Sequence, residues 1–224
     1  MRLAPLLLLL FGAPALAAGS LRGTVRYAGT SRPAPAREVT RQIETCGASQ
    51  DDLSLLVGPG GALQNAVVSL SGVKSARPPP TEGARLDQRR CNFQPRVQAV
   101  TVGSRVKLNN GDPILHSVNA QLAGKVVFNL AMPQQDLAFS TRPLATPGLV
   151  KVHCEAGHDW MAAYLHVFAH PYFAVTGEDG TFELRDVPPG SYTLEIWHER
   201  QKAPERRAVQ IAEGAPSSVE VVLH

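Results

Sequence analysis

Apolar and polar positions alternate along this chain in short runs. Leu21-Arg22-Gly23-Thr24-Val25-Arg26-Tyr27 steps between the two and stops at Ala28-Gly29, as a strand and its turn do. Residues 53–57 and 66–70 are further strand candidates, separated by Gly58-Pro59-Gly60-Gly61. Residues 104–109 form another strand-like run. Near the end, residues 181–184 and 192–197 alternate around Pro188-Pro189-Gly190, and residues 208–211 and 218–223 complete the series. No stretch sustains an apolar period of 3.6 residues, so the pattern predicts an all-β protein built as sandwiches.

The first residues change where this protein is expected to work. Met1-Arg2, an apolar run over residues 3–10 and Ala15-Leu16-Ala17 have the layout of a secretory leader, expected over residues 1–18. The run is short for a membrane span, and no other stretch approaches 18 apolar residues. A periplasmic or secreted protein without stable membrane insertion is the expectation. The 22 basic and 19 acidic residues nearly balance and are scattered, which leaves no footprint for a nucleic acid. Arg77-Pro78-Pro79-Pro80 is extended and unfit for a sheet interior, so residues 75–83 read as a linker.

The chemistry concentrates in Cys154-x3-His158-x2-Met161, with His116 some distance upstream. Taken singly, a cysteine, histidine or methionine at a strand end is more often core or surface. Together they supply two imidazoles, one thiolate and a weak thioether, the ligand set of a mononuclear blue-copper site. A strand entering a short loop can present the last three to one ion, and a neighbouring strand must bring His116. Zinc also accepts histidine and cysteine, but it has no use for a thioether, so Met161 tips the choice to one type 1 copper per chain.

These residues, with Phe93-x-Pro95 and Gly103-x3-Lys107-x-Asn109-Asn110-x-Asp112-x3-His116, resemble the cupredoxins over residues 84–169. Small members such as amicyanin and plastocyanin are the most similar. The resemblance implies a Greek-key sandwich in which His116 and His158 are imidazole ligands, Cys154 the thiolate and Met161 the axial ligand. It also implies that His158 is the ligand nearest the surface. Three residues rather than two separate Cys154 from His158, and Ser117 follows His116 where the family often has asparagine. With Cys154 committed as a thiolate, Cys46 and Cys91 remain to form a disulfide, the alternative being two buried thiols.

A second resemblance lies at the ends of the chain. Glu178-Asp179-Gly180-Thr181-Phe182-Glu183-Leu184 and Val187-Pro188-Pro189-Gly190-Ser191-Tyr192-Thr193-Leu194 look like the second half of a carboxypeptidase-regulatory-like domain, a small prealbumin-like (transthyretin-type) β-sandwich. Gly23-Thr24-Val25 and Asn65-Ala66-Val67-Val68-Ser69-Leu70 fit its first half. Residues 19–74 and 170–224 are therefore expected to form one sandwich interrupted by the copper domain. The simpler alternative is a tandem arrangement, with 19–74 as extra strands on the cupredoxin.

Other histidines carry weaker signals. His153 precedes Cys154 and faces the opposite side of its strand; a copper cluster beyond it would need His-x-His pairs, and the sequence has none. His166, His170 and the Trp197-His198-Glu199 run read as strand-end and surface residues, and Trp160 as cover for the metal. No nucleophile with a base, acidic pair or phosphate loop accompanies the site, so no enzymatic role is expected. The chain resembles exported cupredoxin-like proteins labelled as methylamine-utilisation proteins. That implies one-electron transfer with a redox partner such as a cytochrome c or a periplasmic dehydrogenase. Copper binding and delivery, with the metal as cargo, is the alternative.

Overall fold

The computed structural model describes residues 17–30, 34–73 and 83–224. The expected leader and linker lie outside these residues, apart from positions 17, 18 and 83. The regular structure of the described residues is nearly all β, with only short helical turns besides. The first part holds β1 (Gly19–Tyr27), β2 (Arg37–Glu38), a single helical turn α1 (Ile43–Cys46), β3 (Ser49–Gln50) and β4 (Val67–Ser71). The middle holds β5 (Ala84–Arg89), β6 (Asn92–Gln94), β7 (Val97–Thr101), β8 (Val106–Asn110) and β9 (His116–Leu122). It continues with β10 (Lys125–Met132), β11 (Ala138–Ser140), β12 (Gly148–His153) and β13 (Ala162–Phe168). The last part holds β14 (Phe173–Val175), β15 (Thr181–Val187), β16 (Gly190–Trp197), β17 (Glu205–Ile211) and β18 (Pro216–Leu223).

The strands form two sandwiches with separate cores. In the larger, a sheet ordered β10-β9-β12-β13-β7 faces one ordered β11-β8-β5-β6. Alternation builds its interior: Val150 and Val152 of β12, Val118 and Ala120 of β9, and Ala163, Leu165 and Val167 of β13 all point inward. In the smaller sandwich, β15-β1-β18 packs against β14-β4-β16-β17 over Leu21, Val25, Val68, Leu70, Leu184, Leu194, Ile196 and Val221. Both of its sheets draw strands from before and after the larger sandwich. β1 runs parallel to β18 and antiparallel to β15, while β4 lies between β14 and β16.

Two local expectations are corrected. Residues 53–57 are not a strand; the turn at Gly58–Gly61 lets only Val57 meet Leu63, as an isolated bridge. The segment 19–74 does not stay together either. Its β1 and β4 join the smaller sandwich, but β2, α1 and β3 form a strap across one end of the larger one. Val39 and Cys46 of the strap enter the larger core, and a disulfide joins Cys46 to Cys91, the expected pair, leaving Cys154 free and buried. Cys91 lies in the tight turn between β5 and β6, where Arg90 and Cys91 both have positive φ.

Candidate metal centre

Strand parity places the site. Cys154 continues the inward row Val150–Val152 just past the end of β12, and His116 opens the inward row of β9, the adjacent strand. Both therefore reach the same end of the same core. Beyond Cys154 the chain turns through Gly157, at φ +90°, and a hydrogen bond from the Met161 N–H to the His158 carbonyl closes the loop. That loop returns His158 over the opening. Nδ1 of His116 lies 3.1 Å from Nδ1 of His158, and Sγ of Cys154 lies 4.0 and 3.6 Å from the two nitrogens. All three residues are buried, and Met161, at the end of the loop, is wholly enclosed in the larger core.

The second nitrogen of each imidazole is already occupied. Nε2 of His116 lies 2.9 Å from Oδ2 of Asp112, and Nε2 of His158 meets the amide oxygen of Gln42. Asp112 is a hub: its carboxylate also accepts the backbone N–H groups of Arg90 and Cys91, at 2.7 and 2.9 Å. Asn110 fixes the loop that carries Asp112, donating to the carbonyls of Ile114 and Met132 and accepting from the Asp112 N–H. Around the sulfur, the N–H and hydroxyl of Ser117 point at Sγ of Cys154, at 3.4 and 3.8 Å. Trp160 stands edge-on to His158 and donates its indole N–H to the Cys91 carbonyl, packing the site against the disulfide.

These contacts shape the charges. Burial opposes a thiolate at Cys154, but His116 and the donors of Ser117 and Ala156 outweigh it and hold the thiol below its ordinary pKa. Burial likewise opposes a charged His116, yet the bonds to Asp112 and Cys154 raise its pKa. Burial lowers the pKa of His158, and the nearby His116 lowers it further. The donor set is thus a thiolate-prone sulfur and two imidazoles whose Nδ1 atoms converge while their Nε2 atoms are tied elsewhere. That arrangement fits a transition-metal ion of the His2Cys kind.

His158 is 2% exposed against 0% for His116, and Gln42 of the strap meets its outer nitrogen. His153 turns outward, half-buried, with Nε2 3.4 Å from Glu155. One expectation fails here: His166 and His198 are buried rather than surface residues. His166 projects from the outer face of β13, and the smaller sandwich covers that face, with Trp197 4.4 Å from the imidazole. Arg96 and Glu199 form a buried two-point ion pair at 2.6 and 2.7 Å in the same joint. The motif around His116 contained Asp112 but gave no hint of its three donors, and nothing near Gln42 marked it.

Residues 162–224 match the family model of the carboxypeptidase regulatory-like domain. The match takes in β13, which belongs to the larger sandwich, and omits β1 and β4, which complete the smaller one. Among solved structures, a purple cupredoxin from Nitrosopumilus maritimus is similar at 21% identity, covering 38% of this chain and 98% of that one, with a TM-score of 0.33. Amicyanin from Paracoccus versutus is similar at 16% identity over 45% of this chain and 96% of its own, with a TM-score of 0.34. A copper-containing nitrite reductase from Thermus scotoductus SA-01 is similar at 18% identity over 43% of this chain and 24% of its own, with a TM-score of 0.33. No curated protein matches the chain. Among the described residues, no helix is long and apolar enough to cross a membrane.

Proposed function

We propose that this is an exported type 1 copper protein that carries single electrons. The observation that supports the reading is the convergence of His116 Nδ1, His158 Nδ1 and Cys154 Sγ within 4.0 Å in a buried pocket. His116, His158 and Cys154 would hold the ion, with Met161 as the weak axial donor that favours copper over zinc. When bound, copper supplies a one-electron couple. The protein's part is to hold the donors still. Asp112 orients His116, Ser117 stabilises charge on the sulfur, and the closed core excludes water. A site whose ligands all come from the chain keeps no position for a substrate, which favours a carrier over an enzyme. The Cys46–Cys91 disulfide suits an oxidising compartment, in keeping with a periplasmic or secreted protein whose partner is a cytochrome c or a dehydrogenase.

Copper titration of the purified protein, followed by visible and electron paramagnetic resonance spectra, tests this reading. One equivalent should produce an intense thiolate-to-copper band, and Cys154→Ser should abolish it, since a hydroxyl cannot supply a soft anionic sulfur. Full colour in that variant would remove Cys154 from the site. Rapid surrender of copper by the wild type to a modest chelator, with no reversible potential, would favour copper delivery instead.

A further inference from the structure

The strap has one residue in an unusual position. Gln42, immediately before α1, has φ 56° and ψ 33°, the left-handed region that side chains with a Cβ rarely occupy. Its side chain does not cap the helical turn; it reaches instead to Nε2 of His158. An off-region backbone angle at a non-glycine residue is best sought in what its side chain does.

The surroundings hold this contact from several sides. The Cys46–Cys91 disulfide anchors the strap four residues further on. Gln50 donates to the carbonyls of Cys46 and Arg90 and accepts from Asn92. Arg37 pairs with Asp159 at 2.6 Å and lies over the Trp160 ring. Gln42 itself is exposed, whereas the imidazole behind it is buried, so its amide stands between His158 and water.

We propose that Gln42 is a positioning residue for the metal centre. Its amide oxygen accepts the Nε2 proton of His158, leaves the Nδ1 lone pair facing Cys154 and His116, and closes the imidazole edge to solvent. The role mirrors that of Asp112 on His116, but it is delivered from a part of the chain that precedes β4. The proposal rests on the metal-centre reading given above. It also explains why the strap carries a disulfide: a cover that must return one amide to one nitrogen needs a fixed anchor close by.

The test uses Gln42→Gly, which removes the amide at a backbone position that glycine adopts without strain, and Gln42→Asn, which also tolerates that position but is too short to reach. In metal-free protein, nitrogen-15 spectra of His158 should show the Nε2–H tautomer in the wild type and a mixture of tautomers in both variants. In copper-loaded protein, transfer to an excess chelator should be about tenfold faster or more in both, the range seen when a partner of a ligating histidine is lost. Gln42→Glu keeps an acceptor oxygen and should restore slow transfer. Variants that melt lower but keep the wild-type tautomer and transfer rate would overturn the proposal, since Gln42 would then be structural only. If the wild type takes up no copper, the metal-centre reading fails, while the metal-free spectra still decide what Gln42 does to His158.

Discussion

Two pairs of buried histidines lie in this molecule, and they are treated in different ways. At the strap end, His116 and His158 each have one nitrogen tied to a neighbour, Asp112 or Gln42, and the other turned to a common point beside Cys154. His166, at the joint between the sandwiches, and His198, one residue past Trp197, are buried too, but only His198 is partnered, by the Arg200 N–H at 3.4 Å and by the Gln64 backbone. Nε2 of His166 has no hydrogen-bond partner among the described residues, and burial pushes both imidazoles down to about 4. Burial alone therefore does not mark a ligand. What distinguishes the first pair is convergence: each far nitrogen is tied to a neighbour, and the near nitrogens meet beside the Cys154 sulfur.

The sharpest way to break this comparison is to remove one member of each pair. His116→Ala should abolish the copper band and strongly weaken copper binding, since His158, Cys154 and the weak Met161 cannot hold the ion in a His2Cys geometry. His166→Phe should leave both band and affinity at wild-type values while filling the joint with an apolar ring. Copper titration of the two variants checks this, and loss of colour in His166→Phe would show that the joint is not independent of the site.

The joint should announce itself through pH. Because the folded pKa of His166 and His198 is depressed to about 4, the unfolded chain takes up protons on both below about pH 6.5 while the folded chain refuses them. Their contribution is complete above pH 6.5 and is lost as pH falls towards 4, by about 3 kcal/mol for each imidazole. Melting curves of metal-free protein between pH 7 and 4 should fall accordingly, and His166→Phe should flatten the profile. An unchanged slope in that variant would mean that acid acts elsewhere.

A smaller effect sharpens the first pair. Asp112→Asn keeps the size of the side chain but weakens its hold on His116 and on the turn at Arg90–Cys91. Copper affinity should drop about 10- to 100-fold, the scale typical of losing a partner behind a ligating histidine, with the colour retained. A competition titration measures this directly, and loss of the band itself would make Asp112 a ligand rather than a support.

How legible the site was from sequence follows from how locally each part is specified. Cys154, His158 and Met161 share one loop, and strand parity alone sends Cys154 inward with Val150 and Val152, so their neighbourhood could be read directly. His116 needed only the adjacent strand. Gln42 could not be found in this way, because its value depends on where a strap beginning before β4 comes to rest. His166 was misread for a related reason. Alternation correctly turns it away from the core of the larger sandwich, and a face turned away from one core reads as solvent until a second sandwich is laid on it. The run at 53–57 failed as a strand because apolar content without a partner of matching length gives a single rung, here Val57 with Leu63.

The parallel pairing of β1 with β18 has a consequence for the order of folding. The larger sandwich has all its strands once the chain has been made as far as Phe168. The smaller one must wait for Leu223, because its first strand, which lies beside β15 on one edge, gains its second neighbour only in the last. Until then the core around Leu21 and Val25 lacks Val221 and Leu223, and one hydrogen-bonding edge of β1 stays open to mispairing. Contacts of such long sequence separation form slowly. The larger sandwich can therefore settle first and act as the fixed body on which the two ends of the chain later meet.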